Sequence, residues 1–391
     1  MAHFAIAAGV GAWYTPSRAM RLFRPVRWLL FLLLLAAVAG GVRLWWYVDE
    51  LTEPVLAPMN QSYAGYATLP EKAPGLRLEP FSFRGWDGGE VPAVLAVKEG
   101  EESSRQLSVM GDLTVRKAER LGRIDYVLLC VDWDHGIRSA LPLAESLTAA
   151  GLTCVLWEPR GADNRRLYCT HGLKESADVP LLLDELAKRS GKEKPVVVGV
   201  GQGFGAGLLL QAAAHEPRLR GLVSIDAYAS LRESLGRTMP PSLLSSLTIW
   251  LMDLKISSAV GFECFDVAPV ESAARIDRNV PVLVVNLVQD NPVSTLKDAL
   301  TIYRQLPSDC RDVWTLRSPE DAPEAELRKF TFSVGSDEKR RRVSVPVGLV
   351  KDEDSAPAAV IHWLNDRFVE AMESPHVVVP ARPVLTSDSQ L

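Results

Sequence analysis

Gly203 stands at the centre of the stretch of this sequence that looks most like a catalytic turn. Residues Pro195–Leu210 read PVVVGVGQGFGAGLLL, a β-branched run followed by spaced glycines and an apolar Ala/Leu-rich segment. This pattern predicts a strand, a sharp turn and a helix, and in the G-x-S-x-G form of that turn the serine is the nucleophile of acyl transfer. Gly201 and Gly205 keep the flanking glycines, but the central residue has no side chain. We expect the geometry of the turn without its nucleophile.

Glycine at this position has a physical consequence. A side chain at such a turn is held in an unfavourable backbone region, which costs about 1–3 kcal/mol. Glycine adopts a positive φ without that cost. Loss of the nucleophile lowers the turnover of a serine hydrolase by a factor on the order of 10⁶. The sequence therefore predicts a relaxed turn that does not support the usual reaction.

The elements around the turn follow an alternating pattern. Two alternating runs, Leu76–Phe83 and Val91–Val97, flank the turn signal Asp87-Gly88-Gly89 and predict an antiparallel hairpin. After Gly122, short apolar runs alternate with helix-length segments, which predicts an α/β fold with a doubly wound, mostly parallel sheet. The expected strands lie at 126–132, 153–158, 196–201, 222–226, 282–287 and 313–316, and the expected helices at 138–149, 176–188, 204–214, 243–254, 296–306 and 357–369. A second hairpin, 330–334 with 343–350, falls in a segment that the pattern does not place.

Several stretches in this order resemble the α/β-hydrolase family, and the resemblance covers roughly residues 76–372. Glu158-Pro-Arg-Gly161 is similar to the family's D-x-R-G turn. Cys169–Glu175 followed by Asp178 resembles the segment before the turn helix in the peptidase and dienelactone-hydrolase branch. Pro217–Leu231 and the run from Pro281 to Asp290 resemble the strands and loops that follow. The resemblance implies the α/β-hydrolase fold and a member with Gly203 at the nucleophile position.

The resemblance also implies where the other catalytic groups belong. Asp290, just after a predicted strand, occupies the position of the family's acid. The base is expected near residues 317–321 or 351–355, and neither stretch contains a histidine. His135 and His171 flank turns expected at the same sheet edge and are the remaining candidates for the base, although each is more often a loop histidine.

The predicted oxyanion hole is altered on one side. Its first donor is the backbone N–H after the nucleophile position, here Phe204, which survives any change of side chain. The second comes from the loop after the first parallel strand, where Trp133 follows Val131-Asp132. A carboxylate at Asp132 near a developing oxyanion would oppose its stabilisation. Nucleophile, base and one oxyanion position therefore depart from the family pattern together.

The N-terminus predicts a membrane segment. The basic residues Arg18, Arg21, Arg24 and Arg27 precede an apolar run at 28–48, and acidic residues follow it. The positive-inside rule places the N-terminus in the cytoplasm and the domain outside, periplasmic or extracellular. A cleaved signal peptide is the alternative interpretation, because Ala-Val-Ala at 37–39 resembles a cleavage site. A translation start at residue 20 is a further hypothesis.

Composition bounds the remaining possibilities. The predicted boundaries are 1–27 basic segment, 28–48 transmembrane anchor, 49–75 linker, 76–375 α/β-hydrolase-like domain and 376–391 disordered tail. The net charge of −5 and the absence of a basic stripe outside the N-terminus give no reason to expect nucleic acid as a partner. The five cysteines lack the spacing of a zinc site, and we expect no metal and no cofactor. We expect the cysteines to act as small, buried apolar side chains. If the domain is exported, a Cys154–Cys169 disulfide is also possible.

Three functions compete on this basis. The first is a membrane-anchored, non-catalytic α/β-hydrolase-fold protein that binds a small-molecule ligand or a protein partner. The second is an esterase- or peptidase-like hydrolase with a non-standard constellation. It would recruit Asp290, either His135 or His171, and a water or a nearby serine as the nucleophile. The third is a structural envelope protein in which the domain is an interaction module.

Overall fold

The computed structural model describes residues 18–56, 73, 75–99, 121–130, 137–157, 159, 168–239, 245–261, 267–288, 293–307, 311–317, 330–334, 341–345, 347–349 and 355–373. Its chain divides into two compact units, residues 1–51 and residues 52–391. The strands that follow all belong to the second unit.

A long apolar helix forms the N-terminal part of the described chain. Helix α1 spans Arg18–Leu56, and its segment Val26–Glu53 is long and apolar enough to cross a bilayer, with a mean hydropathy of 2.0. At 1.5 Å per residue a segment of this length exceeds the hydrocarbon thickness of about 30 Å. Leu29–Leu35 are exposed along it, as lipid-facing side chains would be. Among the described residues, this is the one helix whose length and composition would allow it to cross a membrane.

Strands and helices alternate through the second unit. The strands are β1 Leu76–Arg84, β2 Glu90–Lys98, β3 Tyr126–Cys130, β4 Cys154–Trp157, β5 Val197–Gln202, β6 Leu219–Ile225, β7 Val282–Val288, β8 Arg311–Arg317, β9 Phe330–Val334, β10 Arg341–Val345 and β11 Val347–Leu349. The helices are α2 Leu141–Ala149, α3 Asp178–Ser190, α4 Phe204–Ala213, α5 Leu231–Thr238, α6 Ser245–Val260, α7 Pro269–Ala273, α8 Leu296–Gln305, α9 Ser355–Trp363 and α10 Val369–Glu373. A π-helical turn, Leu364–Phe368, joins the last two.

One mixed sheet organises these elements. Within the described ranges its order is β1-β2-β4-β3-β5-β6-β7-β8-β11. β1, β2 and β4 pair antiparallel, and every pair from β4 through β3 to β11 is parallel. The predicted doubly wound, mostly parallel sheet with an N-terminal antiparallel hairpin is confirmed.

Both faces of the sheet are covered, because the central strands are apolar on both sides. Along β3, Leu128 belongs to one core cluster while Val127 and Leu129 belong to the other. Helices α3, α4 and α8 bury their apolar residues in the first cluster, and α2, α9 and α10 cover the second. Strands that are buried on both faces read as continuous hydrophobic runs, which is why the sequence located them well.

The structure also corrects parts of the sequence interpretation. Helices α5 and α7 lie in segments for which the sequence pattern predicts neither a helix nor a strand. The predicted hairpin is confirmed, because β9 pairs antiparallel with β10, but its second strand is shorter than predicted. Residues 347–349 form the separate strand β11, which joins the main sheet beside β8. Cys130, Cys154 and Cys169 are buried and belong to no disulfide, so the Cys154–Cys169 disulfide is not formed.

Candidate functional site

The turn at Gly203 joins the central strand β5 to helix α4. Gly203 has φ 53° and ψ −117°, outside the regions that L-residues favour. Its N–H donates to the carbonyl of Ile225 at 2.8 Å, and its carbonyl accepts from the N–H of Gly207 at 3.2 Å. The turn is thereby fixed to strand β6 on one side and to its own helix on the other.

The close crossing of strand and helix explains the neighbouring glycine. A Cβ at Gly201 would lie 2.5 Å from the Cα of Ala206 and 2.6 Å from its nitrogen. Backbone atoms cannot give way as a flexible side chain can, so position 201 accepts only glycine at this crossing. The two glycines thus serve different purposes. Gly201 allows the strand and the helix to approach closely, and Gly203 adopts backbone angles that other residues disfavour.

A buried histidine lies beside this helix. His171 is fully buried with φ 55°, and its ring meets the ring of Phe204 edge-on with centroids 6.0 Å apart. Its carbonyl accepts from Gln211 Nε2 at 2.8 Å, and its Nε2 lies 3.0 Å from the carbonyl of Val55. Because a carbonyl oxygen only accepts, Nε2 carries the ring proton. Burial lowers the pKa of His171 to about 4, against the opposing effect of that hydrogen bond, so the ring is neutral near pH 7.

A buried carboxyl group holds the same turn. Glu175 accepts from the N–H of Thr170 at 2.6 Å, from Thr170 Oγ1 at 2.5 Å and from the N–H of Gly172 at 2.9 Å. Burial raises the pKa of Glu175, and the hydrogen bonds from Thr170 and Gly172 partly oppose that rise. Glu175 therefore holds the His171 turn by hydrogen bonds within the turn, and Gln211 joins the turn to helix α4.

The sheet edge next to Gly203 carries a second residue with positive φ. Asp226 follows β6 directly and has φ 50°. Its Oδ1 accepts from the N–H of Leu287 at 2.8 Å and from Asn286 Nδ2 at 3.2 Å. Asp226 therefore joins the carboxyl ends of β6 and β7, and Asp is among the residues that tolerate this conformation.

The chain after the predicted acid loop is held by another buried carboxylate. Asp298 accepts from Thr295 in a capping box and from the N–H of Ala229 at 3.2 Å, and Arg237 Nη2 lies 2.8 Å from its Oδ2. Ser234 Oγ donates to the carbonyl of Val293 at 2.7 Å. These bonds connect α5, the loop after β6 and the start of α8.

The strand order and the Gly203 turn together decide the fold class. The fold is that of the α/β hydrolases. No protein-family model matches the sequence, and no curated protein matches it.

Several solved structures have a similar course of the chain, each with a TM-score below 0.5. The Pyrococcus furiosus esterase Pf2001 is 11% identical with a TM-score of 0.48, covering 79% of this chain and 96% of that one. A 2,6-dihydroxy-pseudo-oxynicotine hydrolase is 13% identical with a TM-score of 0.47, covering 75% and 68%. The esterase domain of a Rhodothermus marinus protein is 13% identical with a TM-score of 0.40, covering 61% and 87%. The activities in these names belong to those proteins, and the fold assignment rests on the strand order and the turn.

The predicted site residues of this α/β hydrolase fold divide into two groups. Gly203, Phe204 and His171 lie together around the start of α4, as described above. Asp290, His135 and Trp133 lie outside the described residues, as does Asp132. The roles proposed for these residues stay predictions.

Sequence reasoning missed the carboxylates that fix the edge of the site. Asp298 had a readable signal, because Thr295-x-x-Asp298 has the spacing of a capping box. Asp226 and Glu175 had none, because their partners on β7 and in the His171 turn become neighbours only through folding and local turn geometry. In the part of the chain that the structure describes, no group of three His, Cys, Asp or Glu side chains could hold a metal ion.

An open groove lies away from Gly203. It has a volume of about 620 Å³ and runs between the β1–β2 hairpin and helix α3, where Phe83, Trp86, Pro180 and Leu181 form its apolar part. Because none of its lining residues belongs to the Gly203 turn, this groove is separate from the candidate site.

Proposed function

We propose that this chain is a membrane-anchored α/β-hydrolase-fold protein that binds a ligand or partner and does not catalyse hydrolysis by the family's mechanism. The observation that carries the proposal is Gly203. Its φ of 53° and ψ of −117° are the backbone of a nucleophile turn, on a residue with no side chain to act as nucleophile. Position 203 therefore offers no oxygen or sulfur atom that could attack a carbonyl.

The environment of His171 supports the same proposal. A general base has to reach the proton that it abstracts and has to accept it near neutral pH. His171 is fully enclosed, its Nε2–H is committed to the carbonyl of Val55, and its pKa is lowered to about 4. These contacts favour a structural role for His171, in which its ring supports Phe204 at the start of α4.

Covalent labelling tests the proposal. The full chain in detergent is treated with a fluorophosphonate probe, which marks activated serine nucleophiles, and assayed with short-chain nitrophenyl esters. We expect neither labelling nor turnover for the wild type, for Gly203→Ser or for the matched control Gly203→Ala. Labelling of the wild type would contradict a non-catalytic role. Labelling of Gly203→Ser alone would show that a working base is present and would contradict its proposed loss.

We also propose that the N-terminus is cytoplasmic and that the domain lies on the other side of the membrane. The support is the distribution of charge, with Arg24 and Arg27 before the apolar run and Asp49, Glu50 and Glu53 after it. Labelling with an impermeant maleimide tests this in intact cells that express Glu193→Cys, since Glu193 is exposed. Labelling without permeabilisation is expected, and labelling only after permeabilisation would contradict the orientation.

A further inference from the structure

The end of the candidate membrane helix is bonded to the turn that contains His171. The carbonyl of Leu56 accepts from the N–H of Cys169 at 2.9 Å, and the carbonyl of Val55 accepts from His171 Nε2 at 3.0 Å. Residues 52–56 belong to the same compact unit as this turn. The span ends at Glu53, and the three further residues to Leu56 advance about 5 Å along a helix. The atoms of the turn that form these bonds therefore lie within about 10 Å of the point where the chain leaves the span.

Exposed apolar and aromatic side chains surround this point. Tyr168 and Leu173, on either side of the two bonded residues, are 45% and 46% exposed, and Trp86 is 46% exposed. Lys174 Nζ lies 5.9 Å from the centroid of the Trp86 ring, which brings the hairpin tip and the turn into one surface. We call Trp86, Tyr168, Leu173 and Lys174 the interfacial patch.

The position of this patch is set by the fold. The N–H of Trp86 donates to Asp178 Oδ1 at 2.9 Å, so the tip of the hairpin is held at the start of helix α3. The N–H of Leu173 donates to the carbonyl of Thr170 at 3.2 Å. The patch is therefore carried on a braced turn that contacts both helix α4 and the end of helix α1.

We propose that the interfacial patch rests in the headgroup region of the bilayer that helix α1 crosses. Trp and Tyr are the residues enriched at membrane interfaces, because one part of each ring system is apolar and the other is polar. A lysine beside them buries its apolar stem and keeps its ammonium group among the headgroups. This proposal rests on the membrane anchor of the proposed function, and it adds a second contact that holds the domain against the lipid surface.

A second exposed apolar surface provides the comparison that the test needs. On helix α6, Leu247, Trp250 and Leu254 are exposed at helical spacing. None of the described contacts joins that stripe to the end of helix α1. Lipid contact is accordingly assigned to the interfacial patch and not to the α6 stripe.

Depth-dependent fluorescence quenching tests the assignment on the full chain. Cys264 and Cys310 are replaced by serine, and single variants Leu173→Cys, Leu254→Cys and Glu193→Cys are labelled with a nitrobenzoxadiazole dye. Glu193 is the control, because it lies beyond the far end of the 13-residue helix α3, whose length is about 20 Å. Each labelled chain is reconstituted in phosphatidylcholine vesicles with and without lipid that carries a nitroxide on its headgroup.

The expected result is loss of fluorescence for the label at 173 and little loss at 193 or 254. Tyr168→Cys gives an independent reading of the same patch should Leu173→Cys fold poorly. Equal, weak quenching at 173 and 193, in chains that resist carbonate extraction, would overturn the patch and leave the anchor intact. Strong quenching at 254 in place of 173 would overturn the patch in favour of the α6 stripe. Protection of the label at 173 from aqueous iodide without quenching by the nitroxide would overturn the patch in favour of a protein contact. Release of the chain by carbonate would overturn the anchor and the patch together.

Discussion

The Gly203 turn and the His171 turn both place a residue at positive φ beside helix α4, yet they do so by opposite means. At Gly203, with φ 53°, the residue has no side chain, and among the described residues its backbone is bonded to Ile225 and Gly207. At His171, with φ 55°, a complete imidazole is buried, and the turn is fixed by Glu175, Gln211 and the end of helix α1.

The difference between the two turns lies in which of them carries a strained non-glycine residue. A non-glycine residue at positive φ costs on the order of 1–3 kcal/mol and persists only where the surroundings over-determine it. Around His171 they do, through bonds that the side chain and its neighbours make. At Gly203 no side-chain contact offsets such a cost, and glycine removes it. The strained backbone is thus retained in the turn that contacts the end of helix α1, and strain is relieved in the turn where the family carries its nucleophile.

Removing the carboxyl group of Glu175 should have the largest effect on the His171 turn. Glu175→Ala leaves three buried donors on Thr170 and Gly172 without their acceptor, and each such group costs about 1–3 kcal/mol. We expect a loss of about 3 kcal/mol or more in the free energy of unfolding, measured by urea titration of the full chain in detergent. The control is Glu193→Ala, an exposed glutamate, with an expected change within about 0.5 kcal/mol. A Glu175→Ala loss as small as that of the control would show that the turn is not held as described.

The pH dependence of stability should separate His171 from Glu175. The pKa of His171 falls from 6.5 to about 4 on folding, so the unfolded chain binds more protons between these values. Stability from His171 is therefore complete above pH 6.5 and is lost as the pH falls towards 4, by up to about 3 kcal/mol at 1.36 kcal/mol per pKa unit. Glu175 has the opposite sign, because its raised pKa makes stability fall as the pH rises above 4.5 and through the folded value.

Urea titrations of the wild type, His171→Asn and Glu175→Gln between pH 4 and pH 7 measure these two slopes. The His171→Asn chain should lose the rise in stability between pH 4 and 6.5, and Glu175→Gln should steepen it. Identical profiles for the wild type and His171→Asn would mean that His171 titrates normally in the folded chain. In that case the main argument against His171 as a base would be lost.

The sequence predicts one of these two turns much better than the other. The Gly203 turn was predictable, because a strand, spaced glycines and an apolar helix are adjacent in the chain and their geometry is local. The sheet followed from hydrophobic runs in the same way. The His171 turn was not, since its partners Val55 and Gln211 lie 116 and 40 residues away. The sequence showed a histidine near a sheet edge, and only the folded chain shows that this histidine is buried and bonded to Val55 near the end of helix α1.

A methyl group at position 203 tests whether the Gly203 turn is as strained as its angles indicate. Gly203→Ala should cost about 3 kcal/mol, the upper end of the usual range, because its ψ of −117° also lies outside the left-handed well. Gly191→Ala is the matched control, because Gly191 has φ 66° and ψ 11°, inside that well, and open space where its Cβ would lie. Its expected cost is about 1 kcal/mol, again from urea titration. Equal costs at 191 and 203 would show that the turn relaxes to accommodate a side chain, and would weaken the explanation offered for its glycine.

The reverse substitution, His171→Gly, should have the smallest effect because two changes oppose each other. Glycine relieves the strain at φ 55° but removes a buried ring that packs on Phe204 and donates to Val55. Loss of a large buried side chain costs about 3 kcal/mol and the relieved strain returns about 1 kcal/mol, for a net loss of about 2 kcal/mol. The sign of the change in the urea midpoint decides the comparison. A stabilised His171→Gly chain would mean that position 171, like 203, needs only a permissive backbone, and that the histidine is retained there for a reason other than packing.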